Sequence, residues 1–142
     1  MSENTMTGQT ASSDLTWLLD GFKERVSGID TVLVVSTDGL PTHICTGLVA
    51  ADAEHLAART SGTYGLMSGL DAHYQGAGHV RQIVAQLGTR MYFVVEAAEN
   101  SLLAVIAHPG TDAGEVGHEM MLLANQVRAH LGSKSRAEGT AG

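Results

Sequence analysis

The sequence predicts an α+β fold: an α/β sandwich on a five-stranded, mostly antiparallel sheet, in the order α-β-β-α-β-β-β-α. Three observations predict it. Five short apolar segments, at 29–36, 40–46, 79–87, 90–97 and 101–107, alternate or run unbroken as strands do. The turn signals Thr37-Asp38-Gly39, Gly88-Thr89 and Ala98-Glu99-Asn100 join consecutive strands tightly, which makes those pairs antiparallel. Three further segments carry apolar residues at helical spacing and stand before, between and after the strands.

The first helix is expected over Asp14–Ser27, capped by Asp14 or Ser13. Leu15, Leu18, Leu19, Phe22 and Val26 form its apolar stripe, and Gly28 ends it. In Ile29–Ser36, the unbroken run Val32-Leu33-Val34-Val35 marks a strand covered on both faces. Leu40–Thr46 returns as a hairpin partner, and Pro41 demotes it to an edge. After the central helix, His79–Leu87 alternates, with Val80, Gln82, Val84 and Gln86 on one face and Arg81, Ile83, Ala85 and Leu87 on the other. Arg90–Ala97 and Ser101–Ala107 complete a meander. Thr111 or Asp112 caps the last helix, with Glu115 as half of a capping box. Its buried stripe is Val116, Met120, Leu123, Ala124, Val127 and Leu131, and Gly132 is expected to close it. This predicts one domain over 14–131, between disordered tails at 1–13 and 132–142. The first and last helices should cover one sheet face and the central helix the other.

The central helix, Asp52–Tyr74, contains Gly62, Gly65 and Gly69. Three interior glycines cost a helix about 3 kcal/mol relative to alanine. Ala58, Gly62, Gly65, Gly69 and Ala72 share one bare ridge. Ala53, Leu56, Ala57, Thr60, Tyr64 and Met67 form a stripe suited to packing on a sheet, while Leu66 and Leu70 lie on a third face. Two readings follow: the ridge lets a second backbone approach closely, or the glycines separate two shorter helices. One helix does not cover a whole five-stranded face, whereas a dimer setting two such helices side by side does.

Composition narrows the function classes. The chain has 142 residues, 44% hydrophobic and 16% charged, as a globular domain has. A net charge of −7 with eight scattered basic residues argues against nucleic acid or an anionic membrane as partner. The single Cys45 excludes an internal disulfide and a multi-cysteine zinc site. The polar opening and the lack of a long apolar run predict a cytoplasmic protein without membrane insertion.

Catalytic patterns fail one by one. Seven histidines stand at 43, 55, 73, 79, 108, 118 and 130. His118-Glu119 opens a zinc-protease pattern, but Leu122 stands where the second histidine is needed. His73 and His79 flank a glycine-rich turn, as surface histidines commonly do. Gly76-Ala77-Gly78 follows a helix instead of a strand and lacks the third glycine of a dinucleotide loop. No phosphate-binding loop is present, and Cys45 has no basic neighbour in sequence to activate it. No catalytic residue, metal site or cofactor is expected, and binding is the better reading.

The element order and the local wording resemble the roadblock/LC7 family. Leu15-Thr16-Trp17-Leu18-Leu19-Asp20 with Phe22 is similar to that family's first helix. Val26-Ser27-Gly28-Ile29-Asp30 through Val34-Val35-Ser36-Thr37-Asp38-Gly39-Leu40-Pro41 resembles the most recognisable block of its bacterial members, and Ser68-Gly69-Leu70 falls where they often carry a small-residue turn. The likeness is strongest to actinobacterial members, with the gliding-motility protein B group more distant. It implies a profilin-like α+β domain, not an enzyme, that pairs its third strands across a twofold axis. On this chain that strand is His79, Val80, Arg81, Gln82, Ile83, Val84 and Ala85, and the helix seam would use Gly62, Gly65 and Gly69. It also implies a homodimeric regulator or adaptor of a small Ras-like GTPase in bacterial signalling, sometimes beside a histidine-kinase-like sensor. His55, Arg59, Thr63, Leu66 and Leu70 are the expected partner surface. Arg59 and Arg81 are candidates to reach into a GTPase site, although solvated charge is the commoner role. The alternative is a small-molecule-sensing or scaffold domain of a sensor-kinase complex.

Overall fold

The computed structural model describes residues 15–141, and the side chains of 15–132. The N-terminal tail expected at 1–13 lies outside the described residues. The elements are α1 (residues 15–25), β1 (Ile29–Ser36), β2 (Pro41–Ile44), α2 (Ala50–His73), β3 (Gln82–Gln86), β4 (Met91–Glu96), β5 (Ser101–Ala107) and α3 (Ala113–Ala141). The five strands form one sheet in the order β2-β1-β5-β4-β3, and every neighbouring pair is antiparallel. The strands with unbroken apolar runs are interior, as their patterns predict, and β5 is the middle one.

Period-two geometry splits these strands between two cores. Val32 and Val34 of β1, Phe93 and Val95 of β4, and Leu103 and Val105 of β5 meet Leu19, Phe22 and Val26 of α1 and Met120, Leu123 and Val127 of α3. Leu33, Val35, Tyr92, Val94, Leu102 and Ala104 face the other way, onto Ala57 of α2. The first and last helices therefore share one face, and α2 alone covers the second.

Local chemistry sets the ends of these elements. Gly28, at φ +87°, closes α1 in a conformation that side chains rarely adopt. The Asp112 Oδ1 caps α3, accepting from the N–H groups of Gly114 at 2.9 Å and Glu115 at 3.2 Å. One of two open readings is decided, and one expected boundary is corrected. α2 is one continuous 24-residue helix, so its glycines do not divide it in two. α3 runs past Gly132 to Ala141. Gly132 costs about 1 kcal/mol relative to alanine, which does not by itself end a helix.

Candidate interaction surface

α2 presents three faces. Ala53, Ala57 and Thr60 are buried on the sheet, and the Thr60 and Tyr92 hydroxyls share a 2.5 Å hydrogen bond there. One flank meets the β1–β2 turn, where Ser61 Oγ donates to the Thr37 carbonyl at 2.6 Å. The opposite flank borders β3. There Met67, Leu70 and Tyr74 face Val80, Ile83 and Val84 across an open groove of about 600 Å³.

The glycine ridge is on neither flank. Gly62, Gly65 and Gly69 are exposed, and a Cβ on any of them would meet nothing within 4 Å. They face outward beside Leu66, which is 74% exposed, and beside exposed His55 and Arg59, whose Nη1 donates to the His55 carbonyl at 3.4 Å. Thr63 is half-buried, so it stands apart from the exposed set expected of it. Leu70, 52% exposed, lines the β3 groove instead of the outer face.

The two sheet edges differ in their capacity to pair. At β2, Pro41 has no N–H to offer, and Thr16 Oγ1 donates to the Ile44 carbonyl at 3.2 Å. This edge is blunted. β3 carries no proline and no charge. Leu87 N–H bonds the Arg90 carbonyl at 2.8 Å, so ladder alternation puts Ile83 and Ala85 in bonded pairs with β4. The N–H and C=O groups of Gln82, Val84 and Gln86 then point out from the sheet. His79, Val80 and Arg81, expected to begin this strand, precede it as irregular chain.

A side-chain knot holds that irregular segment. The Tyr64 hydroxyl of α2 donates to Glu96 Oε2 at the end of β4 and accepts from the Val80 N–H. Burial pushes the Tyr64 phenol up to about 12, with the Glu96 hydrogen bond and charge adding to the rise and Val80 opposing it. His79 Nδ1 lies 3.6 Å from the same Glu96 oxygen. Ser68 Oγ donates to the Gly78 carbonyl at 2.6 Å, and Gly78 N–H donates to Asp71 Oδ2 at 3.0 Å. Beyond His79 and Glu96 opens a cleft of about 380 Å³, which reaches Glu99, Asn100 and Arg128. Arg128 Nε donates to the Ala97 carbonyl at 2.6 Å. Among the described residues, no three His, Cys, Asp or Glu side chains converge as metal ligands, and no helix is long and apolar enough to cross a membrane.

The structure thus brings Gln82–Ala85 and Leu70 together along one side, and Gly62, Gly65, Gly69, His55, Arg59 and Leu66 on the outward face. The sequence reading missed Met67, Tyr74 and Gln86 as surface members. It also missed the knot, for which the available signal was the hydroxyl of Tyr64 on a mostly apolar stripe.

An unblocked sheet edge thus lies beside an exposed apolar groove, the kind of surface that contacts between proteins commonly use. Comparison with known proteins makes the class specific: residues 15–107 match the Roadblock/LC7 domain model, and the chain belongs to that family. Among solved structures it is similar to a roadblock/LC7 domain from Streptomyces avermitilis, at 36% identity and a TM-score of 0.75, covering 81% of this chain and 95% of that one. It also shares its fold with MglB from Myxococcus xanthus (16% identity, TM-score 0.76, 84% and 96% of the two chains). The gliding protein MglB from Thermus thermophilus matches similarly, at 15% identity and a TM-score of 0.74 over 84% and 90%. No curated protein sequence shows significant similarity to the chain.

Proposed function

We propose that this protein is a non-enzymatic, homodimeric regulator or adaptor of a small Ras-like GTPase. The observation that carries the homodimer is the contrast between its edges: β2 is blunted, while β3 offers three outward residues with no proline or charge to repel a second copy. Antiparallel pairing of β3 with its twofold mate makes one ten-stranded sheet from two five-stranded ones. It also sets the two α2 helices flank to flank over the groove of Met67, Leu70 and Tyr74. The glycine ridge, expected at this seam, then stays on the outer surface beside Leu66, His55 and Arg59. That outer face is the proposed GTPase contact, where the glycines let a partner approach the helix backbone.

The GTPase itself is inferred from family membership and from the MglB fold relatives. The test is capture on the immobilised protein from native lysate with GDP or a non-hydrolysable GTP analogue, followed by hydrolysis assays with the recovered GTPase. A GTPase retained in one nucleotide state and hydrolysing faster with the protein present supports regulation. Binding without a rate change supports a scaffold, and recovery of no GTPase in either state removes this reading. The cleft that His79, Glu96, Glu99 and Arg128 line favours the second reading, a small-molecule-sensing domain, which a co-purifying ligand would establish.

A further inference from the structure

We propose that Glu96 and His79 are positioning residues for the β3 edge, and that protonation of His79 tightens self-association. The inference rests on the homodimer reading above. Residues 77–81 carry the chain from α2 to β3 without regular structure, so their tethers decide how firmly the open edge is presented. The Ser68, Asp71 and Tyr64 contacts to Gly78 and Val80 are hydrogen bonds to backbone. The fourth tether, His79 to Glu96 at 3.6 Å, becomes an ion pair only when the imidazole is charged.

His79 also lines both openings: the groove that a second copy would cover and the cleft that reaches Arg128. In the single chain the pair is open to water, with the His79 side chain 74% exposed and that of Glu96 36% exposed. An exposed pair contributes little. A second copy seated over the groove excludes water from it, and the same charges then attract more strongly. The charged and titratable groups around His79 are Tyr64 and Asp71 from α2, Tyr74 just past its end, Glu96 from β4, Glu99 from the β4–β5 turn, Arg128 from α3, and Arg81 from its own segment. Three carboxylates against two guanidiniums leave the neighbourhood net negative, which suits a positive imidazole.

The experiment measures the dimer dissociation constant of the full chain by sedimentation equilibrium, at constant ionic strength, at about pH 8 and about pH 6. It compares the unmodified protein with His79→Gln and Glu96→Gln. Acidification also reduces the general repulsion between two copies of net charge −7 and charges the other histidines, effects that both variants retain. The informative quantity is therefore the pH ratio of the unmodified protein divided by that of each variant. It should be about three-fold, within the range for a modest ion pair, with both variants still dimeric near pH 8. An undiminished pH ratio in either variant overturns the proposal while leaving the homodimer standing. A chain that stays monomeric at every pH and concentration overturns the homodimer reading and this inference with it.

Discussion

Thr60 and Tyr92 are joined, hydroxyl to hydroxyl, at 2.5 Å in the buried layer between α2 and the sheet. Burial raises the Tyr92 phenol above its ordinary value, and the Thr60 bond partly offsets that rise. Thr60→Val keeps the shape and removes the partner. An unsatisfied buried hydroxyl costs about 1–3 kcal/mol, and urea denaturation should show a loss in that range. Tyr92→Phe should cost less, because Thr60 can turn its hydroxyl to a carbonyl of its own helix. The double variant should be more stable than the sum of the two losses predicts. Additive losses would show that the two hydroxyls do not act as a pair.

Tyr64 predicts an alkaline weakness. Its phenol is raised from 10.0 to about 12, so the unfolded chain gives up this proton first as pH rises. The Tyr64 contribution is complete below pH 10, and it declines between 10 and 12. Denaturation curves collected across that interval should show the unmodified protein losing more stability than Tyr64→Phe. Parallel losses would mean that the Glu96 and Val80 contacts do not hold the phenol as described.

Much of this fold is legible in the sequence because its signals are local. The unbroken run of β1 and the turn residues around it predict Ile29–Ser36, and the same reasoning predicts Ser101–Ala107, as observed. The stripe of α2 correctly names Ala53, Ala57 and Thr60 as buried. What sequence does not reveal is which flank of α2 meets β3. Helical spacing shows that Gly62, Gly65 and Gly69 share a ridge, but the direction of that ridge depends on where the sheet ends. That end is fixed by residues far away in the chain, at Thr37 and Val84. His79–Arg81 illustrates the same limit. Its alternation continues that of β3, yet tethers to Tyr64, Ser68, Asp71 and Glu96 hold the approach to the strand outside the ladder.

Two glycines near α2 should respond oppositely to alanine. A Cβ on Gly76 would land on the Asp71 carboxylate, which accepts the Gly78 N–H. Gly76→Ala should therefore loosen the turn into β3 and lower stability by about 1–2 kcal/mol, the scale of a lost charge-assisted hydrogen bond. Gly65 has open space around it and a helical backbone. Gly65→Ala should raise stability by about 1 kcal/mol through helix propensity alone. Thermal denaturation of both variants checks the pair. A destabilised Gly65→Ala chain would mean that something packs against the ridge.

The division of labour between the β3 side and the outer face of α2 gives the sharpest contrast. Val84→Pro removes an N–H that points away from β4, so the protomer's own ladder keeps its bonds while edge pairing is blocked. Leu70→Asp places a charge in the groove beside β3. Both variants should shift native mass toward monomer, with a ten-fold or greater weakening at about 1.4 kcal/mol for each factor of ten. Leu66→Asp and Gly65→Leu alter the outward face and should leave native mass unchanged while reducing capture of the GTPase. If Gly65→Leu instead breaks the dimer and Leu70→Asp does not, the two protomers meet through the glycine ridge. The β3 groove would then be left for the partner, and the two surfaces would exchange roles without any change in the fold that carries them.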